Sequence, residues 1–209
     1  MAAEPAVREL YALAAGRDLR LHRPDGLINL FGNPDADLRT VADPHIALTA
    51  IATGKEHGQF WTTDDIDVFV SWKNGTLSWT LDAIFCHRHP VPQADTFREL
   101  HARLTSLWLD TAQRLNADVG RVLDEWSSEQ VRHLGIRESI HPAGGWPAEL
   151  GWSTYLGSTR HLPAAPLPEV ATRARWLPNG ALHVVLLEDP AAVDVRRYED
   201  IHTRWLQAV

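Results

Sequence analysis

The chain has 209 residues, a hydrophobic fraction of 44% and a formal net charge of −7. These values are typical of a globular protein of about one domain. The acidic charge argues against a nucleic-acid partner, whose binding surface is normally basic. The single cysteine excludes an intramolecular disulfide. We recognise no signal peptide and no apolar run that could span a bilayer, so we expect a cytoplasmic protein without a membrane partner.

The N-terminal part carries short, interrupted patterns. A helix is predicted over residues 5–15, ending at Gly16, and a short strand over residues 27–31. Residues 45–52 alternate weakly and suggest another strand, whereas residues 54–63 are typical of a loop. The apolar face of the helix would carry Val7, Leu10, Tyr11 and Ala14.

The clearest pattern in the chain is a β-hairpin over residues 66–85. An Asn-Gly pair, Asn74 and Gly75, separates two strand-like runs, and this dipeptide favours a two-residue type I′ turn. Such a turn pairs Val70 with Trp79, and we expect the hairpin to lie centrally in its sheet with Trp79 buried. The alternation of strand side chains then places on one face Ile66, Val68, Val70, Trp72, Leu77, Trp79, Leu81, Ala83 and Phe85.

Two further segments are predicted between this hairpin and the second one. A helix over residues 96–115 has apolar residues at helical spacing, and a strand over residues 118–124 follows it. A second helix is predicted to begin at Ser127, where a capping-box pattern occurs. Residues 150–156 are typical of a strand.

The C-terminal part contains the second hairpin and a last helix. The hairpin spans residues 170–188, and its Pro-Asn-Gly turn at 178–180 favours a three-residue loop that pairs Trp176 with Leu182. Asp194 is a candidate cap for a helix over residues 195–207.

The order of these elements predicts an α+β fold. We expect a mainly antiparallel sheet with helices packed on one face, built from two hairpin-helix units. The chain is predicted to be a single domain, 1–209. The sparse N-terminal pattern leaves open whether residues 1–60 form an irregular extension of that domain.

Residues for catalysis or cofactor binding are sparse in the sequence. His87 and His89 are spaced as two metal ligands could be, but no spacing selects a third ligand, so we expect no bound metal. The sequence has no Gly-x-Ser-x-Gly elbow and no phosphate-binding glycine motif. We therefore expect no cofactor and no catalytic residues.

Acidic residues are better organised than catalytic ones. Asp64, Asp65 and Asp67 open the first hairpin, and its register sets Asp82 opposite Asp67. An acidic surface of this kind suits a basic protein partner. These four residues are therefore candidates for partner binding.

Trp126 lies within a second acidic group, formed by Asp124, Glu125 and Glu129. Tryptophan is common at binding surfaces because its ring is large and amphipathic. Trp126 is therefore a fifth candidate for partner binding.

One segment resembles a known family. The run Gly-Trp-Ser-Thr-Tyr-Leu at 151–156 is similar to the Gly-Trp-x-x-Tyr-Leu segment of small α+β immunity proteins from bacterial polymorphic-toxin and type VI secretion systems. The Pro-Asn-Gly turn at 178–180, followed by Glu-Asp-Pro at 188–190, resembles their closing hairpin. The resemblance covers about the last third of the chain. It implies a cytoplasmic, non-enzymatic protein that binds a cognate toxin, and it adds Trp152 and Tyr155 to the candidates for partner binding.

The sequence therefore favours a binding protein of immunity type that neutralises a cognate toxin, for which a basic toxin domain is the expected partner. Two alternatives remain open at this point: a small enzyme, or an accessory protein that binds a ligand. Either would use a pocket lined by Trp and His between the sheet and the helices, with His87, His89 or His141 as the chemical groups.

Overall fold

The computed structural model describes residues 3–32, 38–62, 67–73, 75–80, 92–133 and 145–208. The chain divides into two compact units, Met1–Thr111 and Ala112–Val209. Each unit combines helices with an open antiparallel sheet, so the predicted α+β class is confirmed, with two sheets in place of one. The single-domain expectation stays a prediction, since compactness alone does not measure independent folding. None of the helices in the described ranges is long and apolar enough to cross a bilayer.

In its described residues the first unit has a five-stranded sheet and three helices. Its strands follow the order β2-β1-β3-β4-β5, and every neighbouring pair is antiparallel. Its elements are α1 (Ala3–Ala15), β1 (Ile28–Gly32), β2 (Leu38–Val41), α2 (Pro44–Ala52), β3 (Glu56–Trp61), β4 (Asp67–Lys73), β5 (Thr76–Thr80) and most of α3 (Pro92–Arg114).

The three helices cover one face of this sheet, and Phe60 lies at the centre of the core between them. Its ring meets that of Tyr11 at 4.9 Å and that of Trp79 at 6.4 Å, both edge to face. Gly58 allows α2 to approach the sheet closely, because a Cβ at this position would lie 2.4 Å from Ile51 Cδ1. The predicted apolar face of α1 is buried in the same core, as are Leu100, Leu104 and Leu107 of α3.

The first hairpin has the predicted register. Val70 pairs with Trp79, Lys73 pairs with Thr76, and Gly75 adopts the left-handed conformation with φ of 78°. The predicted central position is wrong for β5, which is the last strand of this sheet among the described residues. Trp79 is consequently half-buried and not fully buried. The expected pairs beyond Thr80 lie outside the described residues.

Two local predictions in the first unit are wrong. Residues 45–52 form α2 and not a strand, because the Asp43 carboxylate accepts a hydrogen bond from the His45 amide at 2.8 Å and Pro44 occupies the first turn. Residues 56–61 form β3 and not a loop, since β1 and β4 pair with its two edges. The predicted end of α1 is confirmed, because the helix ends at Ala15 before Gly16, and Asp18 in the following turn is left-handed with φ of 56°.

The second unit is a four-stranded sheet in the order β6-β7-β9-β8. Its elements are β6 (Val119–Val122), α4 (Glu125–His133), β7 (Ser153–Leu156), α5 (Pro168–Arg173), β8 (Ala174–Trp176), β9 (Leu182–Val185) and α6 (Val195–Leu206). One face of the sheet packs on Ile201, Trp205 and Tyr198 of α6.

The second hairpin is confirmed with its three-residue loop. Trp176 pairs with Leu182, and Gly180 is left-handed with φ of 80°. The first four residues of the predicted strand, 170–173, belong instead to α5 (Pro168–Arg173). The predicted cap of the last helix is confirmed, because Asp194 accepts a hydrogen bond from the Arg197 amide at 3.1 Å.

The cap of α4 differs from the one predicted. Asp124 accepts a hydrogen bond from the Ser127 amide at 3.0 Å, so the helix begins one turn before the predicted Ser127 cap.

Candidate functional site: an open sheet face

The five-stranded sheet has a second face, opposite α1 and α2, which we call the open face. Strand alternation places Phe69 on this face, because Val68 and Val70 on either side of it are fully buried in the core. Phe31 lies on the same face, beside the buried Leu30. The open face therefore presents large apolar side chains where the solvated side of an antiparallel sheet is usually polar.

Phe31 and Phe69 form a contiguous apolar strip together with Leu38 of β2. The rings of Phe31 and Phe69 meet edge to face with their centroids 5.2 Å apart, although β3 separates their strands. Leu38 pairs with Phe31 across β1 and β2. Leu38 is 53% exposed and Phe69 is 44% exposed. Contiguous exposed apolar groups of this kind mark protein-protein or ligand contacts.

Short hydroxyl side chains border the strip on the β4–β5 side. Ser71 and Ser78 share a hydrogen bond of 2.7 Å between their Oγ atoms, and Thr80 pairs with Phe69. These side chains lose little conformational entropy on burial, whereas lysine or glutamate in the same place would lose much more. Lys73, exposed at the end of β4, lies on the same face by strand alternation, so the apolar centre has a polar rim that includes a positive charge, as protein interfaces commonly have.

A polar network closes the far end of the open face. Asn29 Nδ2 donates to Gln59 Oε1 at 3.1 Å, and Arg23 Nη1 donates to Asn29 Oδ1 at 3.0 Å. The backbone of Arg20 pairs with that of Trp61 through hydrogen bonds of 2.9 and 2.8 Å. Asn29 and Gln59 are consequently buried, whereas the apolar strip and its polar border stay accessible.

The acidic candidates of the first hairpin fall mainly outside the described residues. Asp64, Asp65 and Asp82 lie there, so the predicted pairing of Asp67 with Asp82 stays a prediction. Asp67 begins β4, where its backbone pairs with Trp61, two positions before Phe69 in the same strand.

Trp126 lies in the first turn of α4 and is 61% exposed. Glu129 is exposed one turn further along the helix. Asp124, by contrast, stabilises the fold, because its carboxylate caps α4 and accepts a hydrogen bond from Trp152 Nε1 at 2.7 Å. The partner-binding role of Trp126 stays a prediction.

Trp152 and Tyr155 are buried in the second unit. The Trp152 ring lies 4.8 Å from the Tyr198 ring, and the Tyr155 hydroxyl accepts a hydrogen bond from Asn179 Nδ2 at 3.1 Å. Gly151 packs so tightly that a Cβ would lie 2.7 Å from the Val122 carbonyl oxygen. The Gly-Trp-x-x-Tyr-Leu segment thus packs inside the unit, and we place no partner contact on these two side chains.

A buried Ser-His pair occurs in the second unit. Ser153 Oγ lies 2.7 Å from His183 Nε2, and Arg175 Nε donates to His183 Nδ1 at 3.2 Å. Since Nδ1 accepts, a neutral ring carries its proton on Nε2 and donates it to Ser153. Burial, reinforced by the Arg175 charge, lowers the pKa of His183 to about 4. His183 in this tautomer does not remove the Ser153 proton, as a catalytic base would.

Histidine chemistry has no other support in the described part of the chain. His87, His89 and His141 lie outside it. Within it, no three His, Cys, Asp or Glu side chains are grouped so as to hold a metal ion. The expectation of no bound metal stays a prediction for the whole chain.

No protein-family model, curated protein or solved structure matches this chain. The immunity-protein resemblance therefore remains a hypothesis, and the function has to be inferred from the geometry of the open face.

Proposed function

We propose that this protein binds a cognate protein through the open face of its five-stranded sheet, and that it acts as an immunity-type protein that neutralises a toxin by contact. The observation that carries this proposal is the exposed strip formed by Leu38, Phe31 and Phe69. The immunity role rests in addition on the resemblance in the C-terminal third of the chain. That resemblance favours a binding protein over an enzyme.

The strip can supply the centre of an interface. Full burial of an exposed Phe or Leu side chain contributes about 1.5–3 kcal/mol. The three side chains of the strip are already partly covered, so each contributes a part of that amount to the centre of a binding site. The strip lies on a sheet whose other face is filled by Phe60, Val68 and Val70. Little conformational entropy is therefore lost when a partner covers it.

Charge suggests the kind of partner. The chain has a formal net charge of −7. Strand β4, which carries Phe69, begins at Asp67, and Asp64 and Asp65 come shortly before it in the sequence. A basic toxin domain with apolar residues at its centre would complement such a surface and would associate faster at low salt.

The proposal is tested by co-expression with the product of the neighbouring open reading frame. We expect that product to arrest growth alone and to be neutralised by this protein. Phe69→Ser should weaken binding by about 10- to 100-fold, the equivalent of one buried ring.

Trp176→Ser is the matched control, because Trp176 is an aromatic residue that is 68% exposed in the second unit. It should leave binding unchanged. A neighbouring product that is harmless and does not bind would contradict the immunity role, while equal losses in the two variants would contradict the assignment to the open face.

A further inference from the structure

A fully buried histidine of α6 holds the loop that precedes β7. His202 Nδ1 lies 2.8 Å from the Tyr198 carbonyl oxygen, which can only accept, so Nδ1 carries the ring proton. The lone pair of Nε2 then accepts a hydrogen bond from the Leu150 amide at 3.1 Å. His202 is therefore neutral in this arrangement, with a single tautomer.

Three side chains from one face of α6 anchor the same loop, residues 145–152, which we call the latch segment. Besides the His202 contact, the Tyr198 hydroxyl donates to the Leu150 carbonyl oxygen at 2.5 Å. Trp205 Nε1 donates to the Pro147 carbonyl oxygen at 2.9 Å, and the Trp205 ring meets Trp146 edge to face at 5.4 Å.

We propose that His202 makes this loop a pH-sensitive latch, in which protonation of the ring releases the latch segment from α6. A proton on Nε2 removes the only lone pair that the neutral ring offers to the Leu150 amide. Nε2 also lies 2.9 Å from the Leu150 carbonyl oxygen, which can accept from the protonated ring, but the cost of burying the charge outweighs this contact and the one to Tyr198. The Leu150 amide then loses its partner inside the core, which is unfavourable.

One charged group near His202 adds to this effect. Arg121 of β6 repels a positive ring, and Glu149 of the latch segment already pairs with Arg121. Asp124, at the start of α4, accepts from Trp152. On its own helix, His202 stacks on the Tyr198 ring at 4.1 Å.

The direction of the pH dependence follows from burial, which lowers the pKa of His202 below its ordinary value of 6.5. The unfolded or released loop binds the proton more readily than the closed latch does. The stability of the latch is therefore complete above pH 6.5 and falls as the pH drops below it. The latch lies in the second unit and does not depend on the proposed function of the open face.

Proton NMR of the full chain tests the latch through its nine indole N–H signals. Between about pH 8 and about pH 5, the Trp146 and Trp205 signals should shift with the midpoint of the His202 ring, while the first-unit signals of Trp61 and Trp79 stay in place. His202→Gln should abolish the shift, since its side chain can accept from Leu150 but does not titrate. His161→Gln, an exposed histidine of the same unit, should leave the shift intact.

Several outcomes would contradict the proposal of a pH-sensitive latch. All nine signals moving together would indicate global unfolding, and an unchanged shift in His202→Gln would assign the effect to another group. Should His202→Gln fail to fold, the wild-type titration still decides, because different midpoints for the His202 ring and the Trp146 signal contradict the proposal.

Discussion

Phe60 and Trp79 face the same core from neighbouring parts of the sheet, yet they differ in burial. Phe60 is fully buried on β3, whereas Trp79 is half-buried on the outer strand β5. We expect Phe60→Ala to lower the free energy of unfolding by about 3–5 kcal/mol, because it leaves a cavity that α1 and α2 cannot fill.

Trp79→Ala should cost less, about 1–3 kcal/mol, since solvent already reaches part of its ring. Urea denaturation of both variants measures the difference. A loss for Trp79→Ala as large as that for Phe60→Ala would show that β5 is covered more completely than the described residues indicate.

The open face also illustrates why a site can be missed at the residue scale. Phe31 and Phe69 are far apart in sequence, and they meet only because β3 lies between their strands. The sequence of β3 predicts a loop, so nothing in the sequence alone combines them. The resemblance makes Trp152 and Tyr155 candidates for partner binding, whereas the structure buries both within the second unit, against Tyr198 and Asn179.

At the scale of the element, helix caps control where several segments begin. We expect Asp194→Ala to reduce stability by about 0.5–2 kcal/mol, because the Arg197 amide loses its acceptor. Asp200→Ala is the matched control, as this exposed residue lies within the same helix. It should change stability by less than about 0.5 kcal/mol. Equal losses measured by thermal unfolding would mean that the cap contributes nothing specific.

The elements that could be predicted are those with strong local signals. Both hairpin registers follow from their turns, at Asn74-Gly75 and at Pro178-Asn179-Gly180, and α6 follows from its Asp194 cap. The strand predicted over residues 45–52 is wrong because its alternation is weak, whereas Asp43 and Pro44 form a strong local start for a helix. β3 has little local strand preference, and its two neighbouring strands decide its conformation.

At the scale of the whole molecule, the net charge of −7 should act on association more than on the final complex. We expect Asp67→Asn to slow association with a basic partner at low salt, with a smaller effect as salt screens the charge. Stopped-flow rates at several salt concentrations measure this. A salt-independent loss of affinity, with an unchanged association rate, would argue instead for a direct short-range contact.

The central claim is that the open face is the partner-binding surface, and hydroxyl-radical footprinting of the free and bound protein tests it most directly. We predict that complex formation reduces oxidation of Phe31, Phe69 and Leu38, while the exposed Trp176 in the same sample stays as reactive as before. Protection of Trp126 or Trp176 with unchanged oxidation of Phe69 would contradict the account and place the interface on the second unit.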